Sequence, residues 1–484
     1  MRKSNGAAAT ASLESSHDAL NSRLGALRGA ISGEVVLPDS PGYESARKPA
    51  IARFRDIRPQ AVVLCGNPED VSQTVSFAKR SVLGAAARSG GHCFAGRSPT
   101  EGIVVDVSPM RSVSVSSGAA TVGAGARLGD VYDVLDRRGL TIPAGCGPAV
   151  GIAGLALGGG LGILGRKHGL SSDSLLGVQV VFADGRIVEC DGHHEEELFW
   201  ALRGSGGGNF GVVGSLAFET VPAPAATAFH LAWPPAEAVA LIEVWQTWAP
   251  DELVASLLLT APIDIDRLTT VNVFGAMLCT ESDIEELLDE LVARAGVEPA
   301  SAFLEHASYR ETKRYLAEHG LGDDRQDGHL FNKSAFFRSP LPEEVVAALV
   351  DNLSEGRIAG QSRELDFTPR GGAYNCVPAD ATAFTHREER FLLLHVVVVD
   401  AGASAMEKGA ARRWLGRSWS TVRPWGSGRV YPNFPDPHLD GWARAYHGTN
   451  LDRLARVNAR YDPDGFFRFH QSIPSRVTGG GTPG

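Results

Sequence analysis

Apolar and polar positions change their period several times along the chain. Ala61-Val62-Val63-Leu64-Cys65 is an unbroken apolar run of strand length, after which Pro68-Glu69-Asp70 opens a segment to Ala78 whose apolar residues recur at helical spacing. The pattern reads as a strand, a capped turn and an amphipathic helix. Further strands are expected over 102–107 and 112–122 and a helix over 128–138, each set off by a glycine-containing turn. Beyond Val221-Pro222-Ala223-Pro224 glycine thins out, and helical patterns at 281–294 and 343–353 alternate with strand candidates; the apolar run from Phe391 to Val399 is itself of strand length. The fold class is therefore α+β. The stretch from Tyr431 to Pro474, dense in Asn, Asp, Pro and aromatic residues, must pack on something.

Length and charge narrow the picture. A chain of 484 residues with 43% hydrophobic content is too long for one core and should divide into domains. Residues 1–16 are small and polar and read as a disordered tail. A net charge of −10 without a dense Lys/Arg run argues against nucleic acid or an anionic membrane as partner and for a small molecule. No apolar signal core follows Met1-Arg2-Lys3, and no apolar stretch approaches the roughly 18 residues a membrane span needs, so a cytoplasmic protein is expected. The six cysteines lie far apart with no CxxC pair or zinc-finger partner, which predicts neither structural metal nor a disulfide framework.

Three glycine clusters then suggest a ligand: Ser89-Gly90-Gly91, Gly151 to Gly162, and Gly204 to Gly211. Glycine is costly in conformational entropy, and close backbone approach to a ligand such as a pyrophosphate is one reason to keep it. Tight turns between short strands are the plain alternative for any single cluster. None of the three fits the Rossmann or P-loop pattern.

Taken together with their order, the motifs become recognisable. Arg88-Ser89-Gly90-Gly91-His92, Val150-Gly151-Ile152-Ala153-Gly154, Arg166-Lys167-His168-Gly169-Leu170 and Leu202 to Val213 resemble the vanillyl-alcohol-oxidase superfamily. Tyr431-Pro432-Asn433-Phe434-Pro435-Asp436, Tyr461-Asp462-Pro463 and Phe469 to Pro474 resemble its berberine-bridge-enzyme subgroup. The resemblance runs from about Arg58 to Pro474. It implies a two-part PCMH-type FAD-binding domain, made of residues 50–222 and the C-terminal segment 430–476, with a substrate domain over 223–429 whose antiparallel sheet, backed by helices, covers the flavin.

The resemblance also assigns residues. It places His92 where relatives bond the flavin covalently, and a neutral imidazole is nucleophilic enough to do so; a turn histidine beside noncovalent FAD is the alternative. Flavin contacts carry over to Arg88, Ser89, Gly90, Gly91, Gly96, Val150, Gly151, Gly154, Gly208, Asn209, Phe210, Val212, Asn433 and Gln471. Many relatives add a second link through cysteine, but Gly147 stands at that position and Cys146 one residue early. A one-residue step in extended chain reverses the side-chain direction, so a single link is expected. Cys93 reads as a small packing residue.

Tyr431 matches the tyrosine that serves as base in sugar-oxidising relatives, and Tyr374, in an apparent sheet strand, is a second candidate. His168, His386 and His395 are weaker. Val150 stands where relatives gate oxygen. The function implied is an FAD-dependent oxidase acting on a sugar, glycoside or secondary-metabolite alcohol or C–H bond, with O2 as acceptor giving H2O2. An oxidative cyclase or carbon–carbon bond-forming enzyme of natural-product biosynthesis is the alternative, since the scaffold supports both.

Overall fold

The computed structural model describes residues 22–252, 255–278, 280–319 and 328–476. The expected tail over 1–16 and Cys279 lie outside the described residues. The first sheet holds β1 (Glu34–Val36), β2 (Ala61–Leu64), β3 (Ala85–Arg88) and β4 (Ile103–Asp106) in the order β1-β2-β4-β3. β2 and β3 run parallel to the central β4, and β1 is antiparallel at the edge. The helix Pro68–Arg80 forms the crossover after β2. Asn67 accepts the Asp70 N–H at 2.8 Å, Pro68 sits in the first turn, and Lys79 and Arg80 meet the negative end of the helix dipole.

The next strands are β5 (Val113–Ser116), β6 (Ala119–Gly123), β7 (Leu140–Thr141), β8 (Leu175–Val181), β9 (Ile187–Asp191), β10 (Val212–Glu219) and β11 (Val221–Pro222). β7 pairs with β11, and the others form an antiparallel sheet in the order β5-β6-β10-β8-β9. The single strand expected over 112–122 is a hairpin instead. Ser117 and Gly118, with φ of 50° and 78°, turn the chain in the primed geometry that suits a two-residue loop.

The largest sheet has seven strands: β12 (Ala226–Trp233), β13 (Ala255–Ala261), β14 (Thr270–Met277), β15 (Ser301–Ala307), β16 (His329–Phe337), β17 (Gln361–Pro369) and β18 (Phe391–Val399). Their order is β15-β12-β14-β13-β17-β18-β16, antiparallel throughout. The period-2 alternation sends Leu257, Leu259, Leu365, Phe367, Leu393 and Val397 to one face. There they meet Trp245, Ile284, Val346, Leu349 and Trp414 from the helices Ala238–Glu252, Glu281–Ala295, Glu343–Ser354 and Ala405–Val422. Thr280 and Ser404 open two of these helices with full capping boxes. The opposite face carries Leu258, Phe274, Leu394 and Val396 toward the glycine-rich part of the chain.

The C-terminal segment packs back onto the first core. Leu454, Val457 and Tyr461 form one stripe of the helix Leu451–Tyr461, and with Phe467 and Ile473 they join the cluster built on β2, β4, β6, β8 and β10. That cluster also takes in Leu24 and Leu27, so with β1 it begins well before residue 50. Among the described residues no helix is long and apolar enough to cross a membrane.

Candidate active site

A cavity of about 340 Å³ opens between the first two sheets and the returning C-terminal segment. Its wall is built from the loop after β3, the segment from Val150 to Leu155, Gly207 and Gly208, and the C-terminal pieces at 431–435 and 467–469. Two of these stretches run backbone against backbone. A Cβ on Gly90 would lie 2.4 Å from the Gly151 nitrogen, and one on Gly151 would lie 2.3 Å from Ser89 Oγ. Ser89 Oγ in turn donates to the Ala124 carbonyl at 2.6 Å. Glycine at these positions is a packing requirement. Gly154 and Gly207 differ: a Cβ on either meets nothing within 4 Å, and both line the cavity. Bare backbone facing open space in a mainly apolar pocket suits a large, flat, partly anionic ligand such as a flavin dinucleotide.

At one end of the cavity Tyr431 and Asn433 interlock with the glycine-rich backbone. Tyr431 is buried, and its phenol oxygen accepts hydrogen bonds from the Gly160 N–H and from Asn433 Nδ2, each at 3.1 Å. Asn433 Nδ2 also donates to the Leu155 carbonyl at 2.9 Å. The Asn433 side chain fits only because Gly158 has no Cβ, which would stand 2.0 Å from Oδ1. Burial pushes the Tyr431 pKa up to about 12, opposed by the Asn433 hydrogen bond, the Arg370 charge and the Gly160 N–H.

Residues 59–191 match a family model described as an FAD binding domain, and residues 430–474 match one described as berberine and berberine like. The FAD-linked oxidoreductase YgaK of Bacillus subtilis (strain 168) is 31% identical over 458 residues, which cover 92% of this chain and 97% of the relative. The chain belongs to the berberine-bridge-like FAD-linked oxidoreductases. The structure of wild-type Physcomitrella patens BBE-like 1 is similar with a TM-score of 0.84 at 26% identity, covering 94% of this chain and 100% of that one. A chitooligosaccharide oxidase structure is similar with a TM-score of 0.82 at 25% identity, covering 95% and 100%.

In this berberine-bridge-like enzyme, the cavity brings together His92, Ser89, Gly90, Gly91, Val150, Gly151, Gly154, Gly208, Val212, Tyr431 and Asn433 from the sequence-predicted set. Arg88 also lines it, but its guanidinium turns away. Nε donates to Asp106 at 2.7 Å, and the two terminal nitrogens donate to the Arg47 and Ala46 carbonyls, so Arg88 anchors β3 to β4 and to the segment before β2.

Other predicted residues stand outside the cavity lining. Gly96, at φ +67°, packs against the Phe54 ring. Asn209 accepts the Ile473 N–H at 3.0 Å and donates to the Ser205 carbonyl, tying the C-terminal segment down, while Phe210 is wholly in the first core. Gln471, at φ +74°, donates to the Asp436 carbonyl at 2.8 Å and accepts from Arg97. Gly147 contacts Val150, and Cys146 packs with Ile163, Tyr315 and Leu258 rather than facing the cavity. Tyr374 requires a correction. It lies on the short helix Ala373–Cys376, not on a strand, because Gly371 and Gly372 (φ 93° and 57°) turn the chain before it. Its hydroxyl is taken up by Gly162, donating to the carbonyl at 2.8 Å and accepting the N–H at 3.2 Å.

Of the histidines, His395 is paired with Ser418 at 2.9 Å in the core, where burial and then the Lys333 charge lower its pKa to about 3. His386 is buried between Phe336 and Phe384, and its pKa is depressed chiefly by burial. His168 is half-buried. Cys93 lines the cavity. Cavity residues that sequence reasoning missed include Arg97, whose guanidinium sits 4.5 Å over the Phe469 ring, and Ala85, Ala86 and Ala87 of β3. Three consecutive alanines in a strand were a usable signal that something approaches closely; Arg97 had none.

Proposed function

We propose that this enzyme holds FAD covalently through His92 alone and oxidises a small organic substrate, a sugar, glycoside or secondary-metabolite alcohol, with Tyr431 as the base. The observation carrying this reading is the Tyr431 oxygen. The residue lines the cavity, and its oxygen accepts two N–H donors and has no acceptor for its own proton among the described residues. Gly160 and Asn433 are placed to stabilise the phenolate form of that oxygen, which then takes the substrate hydroxyl proton and returns to the neutral phenol. When bound, FAD supplies the hydride acceptor. Ser89 to Gly91, Gly151, Gly154 and Gly207 would hold its dinucleotide portion, and Leu155 and Leu161 would exclude water beside the reacting carbon. Single attachment is supported by Cys146, whose sulfur faces Lys313 at 3.9 Å. A relative named for chitooligosaccharide oxidation favours a carbohydrate hydroxyl. Oxygen as acceptor, giving H2O2, rests on Val150 in the cavity wall.

A second reading, carbon–carbon bond formation or cyclisation on an aromatic metabolite, is favoured by one observation. The sheet face next to the cavity is apolar there, with Leu330, Leu394, Val396 and Val398 against Phe94 and Phe434, which line the cavity. The test is anaerobic bleaching of the flavin by a panel of sugars, alcohols, alkaloids and aromatic polyketides, followed by oxygen uptake and product mass. A carbonyl product two mass units below its substrate supports the oxidase, and a cyclised product of that mass the second reading. Peptide mass spectrometry locates the flavin; a peptide carrying His92 without flavin would sink the attachment.

A further inference from the structure

Lys313, on the helix Tyr309–His319, is 4% exposed, and among the described residues no ion pair joins it to a carboxylate. Its ammonium donates to the carbonyls of Ala144 and Gly145 at 2.6 and 3.0 Å and to the Tyr132 phenol oxygen at 3.1 Å. The Tyr132 and Tyr309 rings stand 4.6 and 5.3 Å from the nitrogen. Three oxygen acceptors match the three N–H bonds of an ammonium, whereas a neutral amine has two, and aromatic faces favour a cation. The site is thus constructed for a charged lysine, although burial works against that charge and lowers its pKa.

The segment that Lys313 grips backs the cavity. A Cβ at Gly145 would stand 3.2 Å from Leu155 Cδ1 and 3.3 Å from the Leu161 carbonyl, and both leucines line the cavity. The Leu155 carbonyl is the group that holds Asn433, which in turn holds Tyr431.

We propose that Lys313 is a positioning residue for the flavin: it fixes the segment 144–147 behind the Tyr431 end of the cavity, and its buried positive charge raises the oxidising potential of the bound cofactor. This rests on the FAD reading above. A fixed cation favours the cofactor state that has gained negative charge, and the field of an unneutralised buried ammonium is only weakly screened.

The test is the reduction potential of the holoenzyme by dye equilibration, with flavin content measured on the same samples. Lys313→Met should shift the reduction equilibrium about tenfold against reduction, ~30 mV for a two-electron couple. Cys146→Asp, which sets a carboxylate beside the ammonium without removing it, should shift it the same way, and Cys146→Asn should not. Unchanged potential in flavin-loaded Lys313→Met overturns the inference. Should that variant fail to fold, unchanged potential in Cys146→Asp overturns it. A wild-type protein that binds no flavin would instead overturn the reading of the cavity, and this inference with it.

Discussion

Replacing Tyr431 by Phe removes one oxygen and keeps the ring, so its consequences can be worked from two hydrogen bonds. The Gly160 N–H and one Asn433 N–H lose their acceptor inside a buried site. Each orphaned donor costs about 1–3 kcal/mol, which gives a stability loss of about 2–6 kcal/mol, less if water fills the gap. Loss of a positioned base lowers the rate of the reductive half-reaction by about 10²–10⁴-fold. Anaerobic stopped-flow bleaching reports the second quantity and thermal melting the first. With the Tyr431 pKa at about 12, the phenolate is scarce at neutral pH, and the reductive rate should climb with pH across 8–10 without a plateau. The Phe variant should lose that slope. For stability the sign runs the same way as for any raised pKa. The contribution is fully present below the unfolded tyrosine value near 10 and is lost as pH rises through about 12. A Tyr431→Phe protein loaded with flavin that bleaches at the wild-type rate would refute the assignment of the base.

Four further outcomes are expected. His92→Ala should yield protein whose yellow colour is released by acid precipitation, while the wild type retains it in the pellet. Gly154→Val should fold, with an unchanged melting profile in the absence of flavin, but bind little cofactor, because its side chain enters open cavity space; Gly90→Ala should fail to accumulate as folded protein, since its Cβ meets backbone at 2.4 Å. Arg88→Met should destabilise the protein by about 3–5 kcal/mol, because it strands Asp106, 4% exposed, without its partner, and denaturant titration measures this directly.

The sequence was most legible where local chemistry and packing agree. The helix Pro68–Arg80 carries its dipole charges and its apolar stripe in thirteen consecutive residues directly after its cap Asn67, and the structure follows them. The β5–β6 hairpin was hidden because the alternation of Val and Ser over 112–116 runs on into the small and β-branched residues of 119–122, and a non-glycine residue at positive φ leaves no compositional mark. β1 is three residues long and acquires strand geometry only by pairing with β2. At the site, motif residues were easy to find but their directions were not. Arg88, Asn209 and Gln471 belong to recognisable segments, yet their side chains stitch backbone together beside the cavity. Lys313 lay beyond sequence reasoning altogether, since its acceptors are carbonyl groups nearly 170 residues earlier in the chain.

The return of the C-terminal segment has a consequence in time. Tyr431, Asn433, Phe467 and Phe469 wall a cavity whose other side is complete by Val213, and the bond from Asn433 to Leu155 spans 278 positions. At a synthesis rate of roughly 5–20 residues per second, the glycine-rich side waits on the order of ten seconds or more before its missing wall leaves the ribosome. During that interval a flavin could meet only an open half-site, with neither Tyr431 nor Asn433 in place. With the flavin held as proposed, cofactor capture belongs to the end of synthesis, and a chain truncated even slightly before Tyr431 would be expected to fold much of its first core yet emerge colourless.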